Sequence, residues 1–138
     1  MILVDTPVWS LALRRKAADL STAERHLTQL LYQVVDEGRV ELIGSVRQEL
    51  LSGLREEAQF RRLRDFLRDF PDTAVETVDY EEATRAANQC RRAGISTSPV
   101  DMLLCAIALR HDWEIFTTDP DFTHYRNVLK IRLFAASQ

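Results

Sequence analysis

The stretch Ile2-Leu3-Val4-Asp5-Thr6-Pro7 decides the fold prediction, because it joins a short apolar run to a helix start. A continuous apolar run followed by a polar residue is typical of a strand buried on both faces of a parallel sheet. Threonine followed by proline is typical of a helix start, with Thr6 as the N-cap and Pro7 in the first helical position. The stretch therefore predicts a buried strand over residues 2–5 that leads into a helix ending at Leu13.

The same alternation of apolar runs and helical patterns continues along the chain. Further strands are predicted over residues 40–43, 74–78, 114–117 and 128–133. Helices are predicted from the Ser21–Glu24 capping box to Gly38, from a second capping box over 45–48 to residue 51, and over 57–70, 80–93 and 99–111. Strands that alternate with helices predict a three-layer α/β/α sandwich with a central, mostly parallel sheet of four to five strands. With 138 residues, the chain is expected to form a single domain over 1–138.

Composition constrains the function only loosely. The net charge is −3, and Lys16 and Lys130 are the only lysines among 18 basic residues. Arginine favours phosphate-rich partners, although codon bias explains the same excess. Cys90 and Cys105 lie in helical patterns and are predicted to be buried free thiols in a reducing compartment. No apolar run approaches the roughly 20 residues of a membrane span, and no signal sequence is found, so a cytoplasmic protein is expected.

Acidic residues occupy the strand ends and helix starts of this predicted fold. Asp5 ends the first strand, Glu49 lies early in the helix that follows the second, and Asp101 lies in the first turn of the buried helix. Asp119 and Asp121 follow the strand over 114–117. In a parallel sheet these positions converge on one edge, where such folds bind ligands. A carboxylate cluster repels itself unless a cation neutralises it, so the pattern predicts a divalent metal site.

Each acid also has an ordinary explanation. Asp5 and Glu49 gain from helix dipoles, Asp101 completes a capping pattern with Ser98, and Asp119 is a candidate N-cap before a proline. None of these explanations accounts for the fact that the acids all occupy strand ends and helix starts on one edge of the sheet. Carboxylates alone select Mg²⁺ or Mn²⁺, and four of them suit one metal, or two metals about 3.5–4 Å apart for phosphodiester displacement.

Four motifs resemble those of PIN-domain nucleases. They are Leu3-Val4-Asp5-Thr6, then Glu49 within residues 45–50, then Ser98-Pro99-Val100-Asp101 continuing to Ala106, and Thr117-Thr118-Asp119-Pro120-Asp121-Phe122. Together they span nearly the whole chain, and the length is similar to that of VapC-type toxins of toxin–antitoxin pairs. One departure is Pro7, which stands where that family commonly has a small polar residue.

The resemblance implies a function and a site. It implies an endoribonuclease that hydrolyses RNA with Mg²⁺ or Mn²⁺, forms a homodimer and is inhibited by a VapB-like antitoxin that fills the acidic groove. It assigns the catalytic and metal-binding roles to Asp5, Glu49, Asp101 and Asp119, a further metal-binding role to Asp121, and orienting roles to the hydroxyls of Thr6 and Thr117.

Several alternatives remain open. A relative of the same family could cut DNA, or process RNA without an antitoxin, and a non-catalytic metal-binding interaction domain would keep the same acids. A phosphoacceptor receiver domain fits poorly, because it requires paired acids just after the first strand. A phosphatase with an aspartate nucleophile requires a second aspartate two residues after Asp5, where Pro7 stands.

Overall fold

A four-stranded parallel sheet forms the centre of the computed structural model, which describes residues 1–134. The strands lie in the order β2-β1-β3-β4, and their bounds are β1 (Ile2–Val4), β2 (Val40–Glu41), β3 (Glu114–Phe116) and β4 (Arg132–Leu133). In the register of the central strands, Leu3 pairs with Glu41 on one side and with Ile115 on the other. All three residues of β1 are completely buried, as their apolar sequence predicts.

Helices connect and flank these strands. Their bounds are α1 (Thr6–Leu13), α2 (Thr22–Asp36), α3 (Gly44–Leu51), α4 (Glu57–Leu67), α5 (Thr77–Arg92), α6 (Pro99–His111) and α7 (Asp121–Arg126), with a short 3-10 helix over Ala17–Asp19. The predicted α/β fold with a parallel sheet between helices is therefore confirmed. Of the helices, α6 has the predicted bounds of 99–111.

The core explains why α6 is so apolar. Every residue from Met102 to Ala108 is buried, so this helix packs against neighbours on most of its circumference. Cys105 on α6 and Cys90 on α5 are buried free cysteines, as predicted, and burial raises the pKa of both thiols. Within residues 1–134, no helix combines the length and the apolar character needed to cross a membrane.

The predicted strand over 74–78 is wrong. Residues 74–76 are irregular, and α5 already begins at Thr77 rather than at residue 80. The helix starts early because the Asp79 carboxylate accepts a hydrogen bond from the Glu76 backbone N–H at 2.9 Å, which caps its first turn. The preceding segment contacts the sheet through an isolated bridge between Leu42 and Asp72 and through Thr73 Oγ1, which donates to Glu41 Oε2 at 2.6 Å.

The other differences lie at element ends. The predicted strands over 2–5, 40–43, 114–117 and 128–133 are shorter in the structure, and the helix predicted over 57–70 ends at Leu67. The second predicted capping box is also wrong, because α3 begins at Gly44 and its N-cap, Ile43, has no side chain that can accept a hydrogen bond. The Ser21–Glu24 capping box is confirmed by both of its hydrogen bonds, at 2.9 and 3.1 Å.

The start of α1 also differs from the prediction, and the difference involves Asp5. Asp5 rather than Thr6 is the N-cap, and its Oδ1 accepts a hydrogen bond from the Thr6 backbone N–H at 2.8 Å. The chain leaves β1 for β2 on one side of it and then crosses over to β3 on the other side. This reversal of strand order opens a crevice at the carboxyl end of β1, next to Asp5.

Candidate metal centre

Four predicted acids line a single cleft at this edge of the sheet. The cleft has a volume of about 540 Å³, and its walls include Asp5, Glu49, Asp101 and Asp119. Asp5 follows β1, Glu49 comes from α3, Asp101 lies in the first turn of α6, and Asp119 follows β3. The structure therefore brings together four residues that are up to 114 positions apart in the chain, from Asp5 to Asp119.

Three of the acids form a tighter group. Asp101, Asp119 and Asp121 each present a carboxylate oxygen, and these oxygens all lie within 4.8 Å of one another. Asp101 and Asp119 are half-buried, whereas Asp121 is exposed at the start of α7. Asp5 and Glu49 line the same cleft but do not belong to this group of three. Asp121, to which the resemblance assigned a further metal-binding role, therefore lies beside Asp101 and Asp119.

Hydroxyl groups fix the orientation of the remaining acids. Thr117 Oγ1 donates to Asp5 Oδ2 at 2.8 Å and accepts from the Asp119 backbone N–H at 3.0 Å. Thr6 Oγ1 donates to Glu49 Oε2 at 2.9 Å. The strand-end hydroxyl of Thr117 therefore holds the segment after β3 against Asp5 at the end of β1. Thr6 and Thr117 are the two hydroxyls to which the sequence resemblance assigned this kind of contact.

Tyr125 also touches the site, although the sequence analysis did not identify it. Its hydroxyl donates to Asp101 Oδ2 at 2.8 Å, while the Ser98 hydroxyl accepts a hydrogen bond from the Asp101 backbone N–H at 3.2 Å. Burial and the Asp101 carboxylate raise the pKa of the Tyr125 phenol. The available sequence signal was the i, i+4 spacing of Asp121 and Tyr125, which places both on one face of a helix.

The electrostatics of the cleft are unfavourable to carboxylates without a cation. Burial raises the pKa of Asp5 to about 6, and the charges of Asp101 and Asp119 act in the same direction, against hydrogen bonds from Thr117 and Thr6. Burial also raises the pKa of Asp101, and the charge of Asp119 adds to this effect. Among residues 1–134, no basic side chain forms an ion pair with any of the acids in the cleft.

A pH-dependent stability follows from the raised pKa of Asp5 in the metal-free protein. Between pH 3.8 and about 6 the folded state retains a proton that the unfolded state releases. The free energy of unfolding therefore falls as pH rises through this window, by about 2 to 3 kcal/mol from this group. We expect Asp5→Asn, which keeps the cap, to gain stability over wild type from pH 4 to 6 and to hold a constant gain above it.

The measurement is urea unfolding at several pH values in the presence of a chelator, with the difference between variant and wild type plotted against pH. Asp69→Asn, which changes an exposed carboxylate, is the control and should show a difference that hardly varies with pH. An Asp5→Asn difference that is equally flat from pH 4 to 7 would contradict a raised pKa for Asp5.

The donor chemistry of the cleft fits a hard divalent cation. Its ligating atoms are carboxylate oxygens, three of which converge from different residues, and such donors suit Mg²⁺ or Mn²⁺ rather than a soft metal. A cation placed there would offset the burial and the mutual repulsion that together raise the pKa of Asp5 and Asp101. The residues present therefore fit the predicted metal, and the hydrogen bonds from threonine and tyrosine hold the carboxylates in place for it.

Comparisons with known proteins agree with the fold and the motifs. The family model described as PIN domain matches residues 2–128. A curated protein named Ribonuclease VapC11, of Mycobacterium tuberculosis, is 29% identical over 124 residues, which are 88% of this chain and 89% of that protein. The structure of FitAcB from Neisseria gonorrhoeae is similar with a TM-score of 0.76 at 19% identity, covering 99% of this chain and 98% of that one. VapBC2 from Rickettsia felis, bound to a DNA fragment from its promoter, gives 0.72 at 13% identity, covering 97% and 98%.

Proposed function

Because this chain belongs to the PIN-domain family, we propose that it is a metal-dependent endoribonuclease and the toxin of a toxin–antitoxin pair. The observation that carries the proposal is the cleft in which Asp5, Glu49, Asp101 and Asp119 meet at the carboxyl edge of the sheet. The name of the relative VapC11, a ribonuclease, supports RNA as the substrate. The proposal treats residues 1–138 as one catalytic domain.

The proposed cation is Mg²⁺ or Mn²⁺, held by Asp5, Glu49, Asp101 and Asp119, with Asp121 as an additional ligand. When bound, such an ion activates water for attack on a phosphodiester bond and stabilises negative charge on the phosphate. This chemistry requires no serine or histidine nucleophile.

The residues at the metal centre have different roles in the proposed reaction. Asp101 and Asp119, with Asp121 beside them, supply the closest set of oxygens. Thr117 keeps Asp5 and the backbone of Asp119 at a fixed separation. The exposed Glu49 is oriented by Thr6 at the mouth of the cleft, where it can bind the ion or accept a proton from water.

The proposed partners follow from the same family. They are an RNA substrate, a VapB-like antitoxin whose peptide occupies the acidic cleft, and a second copy of this chain in a homodimer. A toxin–antitoxin complex from Klebsiella pneumoniae, which is similar with a TM-score of 0.66 at 18% identity and covers 88% of this chain and 90% of that one, supports the antitoxin. A toxin that acts on cellular RNA would be cytoplasmic.

The test is cleavage of a panel of tRNA, rRNA fragments and single-stranded DNA by protein purified free of any partner. Each substrate is incubated with Mg²⁺, with Mn²⁺ and with EDTA. We expect RNA to be cut at defined internal positions in the presence of metal and to remain intact in EDTA. Cleavage of DNA alone would show that the substrate is DNA rather than RNA, and it would leave the proposed metal centre in place. Cleavage that persists in EDTA would contradict the proposed mechanism.

A further inference from the structure

Tyr125 is a buried side chain at the metal centre that does not line the cleft. It is 1% exposed, and it lies one turn after Asp121 on α7. A buried phenol needs a hydrogen-bond partner, and the partner here is Asp101 Oδ2 at 2.8 Å. The contact joins α7 to the first turn of α6 across 24 residues of sequence.

The position of this ring is fixed by its surroundings. The Tyr125 and Phe122 rings meet edge to face with their centroids 5.1 Å apart. The Tyr125 carbonyl accepts hydrogen bonds from the backbone N–H groups of Val128 at 3.0 Å and Leu129 at 2.7 Å. Because these contacts fix both the backbone and the ring of Tyr125, its hydroxyl is a donor in a fixed position. The Asp101 carboxylate therefore takes the orientation that this hydrogen bond requires.

We propose that Tyr125 is a positioning residue of the metal centre, which holds the Asp101 carboxylate in the orientation that binds the cation. The inference rests on the proposed function only in taking Asp101 as a metal ligand. Asp101 shares its group of three with Asp119 and Asp121, and mutual repulsion would turn its carboxylate away when no cation is bound. A neutral donor prevents that rotation without supplying a positive charge that would compete with the cation.

A buried hydroxyl needs a hydrogen-bond partner whether or not it orients a metal ligand. The effect of removing it on metal affinity distinguishes an orienting role from a purely structural one. Loss of a hydrogen bond to a metal ligand typically weakens metal binding by about 10- to 100-fold. Loss of a merely structural hydrogen bond lowers stability and leaves metal affinity as it was. Because Tyr125 is buried, its hydroxyl does not contact RNA, so an orienting role also leaves the KM for RNA unchanged.

The test is calorimetric titration of Mn²⁺ into metal-free Tyr125→Phe, which removes the hydroxyl and keeps the ring. We expect the Kd for Mn²⁺ to rise about tenfold. Raising the Mn²⁺ concentration should then restore RNA cleavage, with the KM for RNA unchanged. Tyr80→Phe removes a hydroxyl from an exposed ring and is the matched control, which should titrate like wild type.

A second control separates positioning from packing. Val34→Ala truncates a buried side chain of α2 that does not line the cleft, so it should lower the melting temperature and leave the Kd for Mn²⁺ within about twofold of wild type. The proposal is overturned if Tyr125→Phe binds Mn²⁺ with wild-type affinity, if it does not fold, or if Val34→Ala weakens binding equally.

The inference and the proposed function can fail separately. If wild type cleaves RNA and Tyr125→Phe binds Mn²⁺ like wild type, the inference alone is wrong. If Tyr125→Phe weakens Mn²⁺ binding in a protein that cuts no RNA, the inference stands and the proposed function is wrong. If wild type binds neither Mn²⁺ nor Mg²⁺, both are overturned.

Discussion

Asp101→Asn is expected to lower the rate of RNA cleavage by about 10³-fold or more, because it removes one negative charge from the closest group of three carboxylates. The amide keeps nearly the same shape as the carboxylate but is a poor ligand for Mg²⁺ or Mn²⁺. The loss should persist at high metal concentration, unlike the loss expected for Tyr125→Phe.

The fold should survive this substitution. The cap at the start of α6 uses the backbone N–H of residue 101 and the Ser98 hydroxyl, neither of which changes. The Tyr125 hydroxyl can donate to the amide oxygen instead of the carboxylate. Since burial and the charge of Asp119 raise the pKa of Asp101, removal of the Asp101 charge should increase the free energy of unfolding of the metal-free protein at pH 7.

The measurement pairs single-turnover cleavage with urea unfolding in EDTA, for wild type and Asp101→Asn. Asp69→Asn, at an exposed position outside the cleft, is the control and should retain wild-type cleavage. Cleavage by Asp101→Asn at the wild-type rate would remove Asp101 from the metal centre. A large loss of stability would show instead that the carboxylate is needed for the fold.

The elements that the sequence predicted best are those buried on all sides. Burial makes β1 and α6 continuous apolar runs, and proline with a capping serine marks the start of α6, so the bounds of α6 are as predicted and β1 is one residue shorter than predicted. The strand prediction over 74–78 was wrong because the β-branched residues of this segment favour a strand locally. The helix start at Thr77 depends instead on Asp79, whose partner, Arg110, lies 31 residues away.

The sequence could predict those contacts of the candidate site that follow from the order of the strands in the sheet. Asp5 and Asp119 follow adjacent parallel strands, so their proximity follows from the fold. The hydrogen bond from Tyr125 to Asp101 could not be predicted in this way, because it depends on how the six-residue α7 packs beside α6. The closeness of Asp121 to Asp101 and Asp119 depends on the same packing. The family resemblance assigned Asp121 a metal-binding role but did not identify Tyr125.

Outside the metal centre, Arg110→Met is expected to have the largest effect on stability. Arg110 makes two hydrogen bonds to the Asp79 carboxylate, at 2.6 and 2.8 Å, and the Asp79 side chain is completely buried. The guanidinium holds the pKa of Asp79 below its ordinary value, and the Glu76 backbone N–H adds to this effect. Methionine would leave a buried charge without its partner, at a cost of about 3 kcal/mol in the free energy of unfolding.

The pH dependence of this loss provides an internal check. The pair stabilises the protein at pH values above the ordinary pKa of Asp79, 3.8, and this contribution disappears as pH falls through the lowered pKa of the folded state. We therefore expect the difference between wild type and Arg110→Met to be constant near neutral pH and to shrink in acid. Cleavage by the folded variant should be unchanged, because Arg110 lies nine residues beyond Asp101, about 13 Å along α6.

Two further variants identify the cause of the loss. Arg85→Met removes an exposed ion pair with Glu82 on α5 and should cost less than about 1 kcal/mol. Asp79→Asn in the Arg110→Met background removes the buried negative charge that has lost its partner. The amide oxygen can still accept the hydrogen bond from the Glu76 N–H, so the double variant should recover most of the lost stability. If Arg110→Met costs no more than Arg85→Met, the buried pair does not stabilise the contact between α5 and α6. If the double variant is no more stable than Arg110→Met, the loss arises from the packing of the arginine side chain rather than from the uncompensated charge.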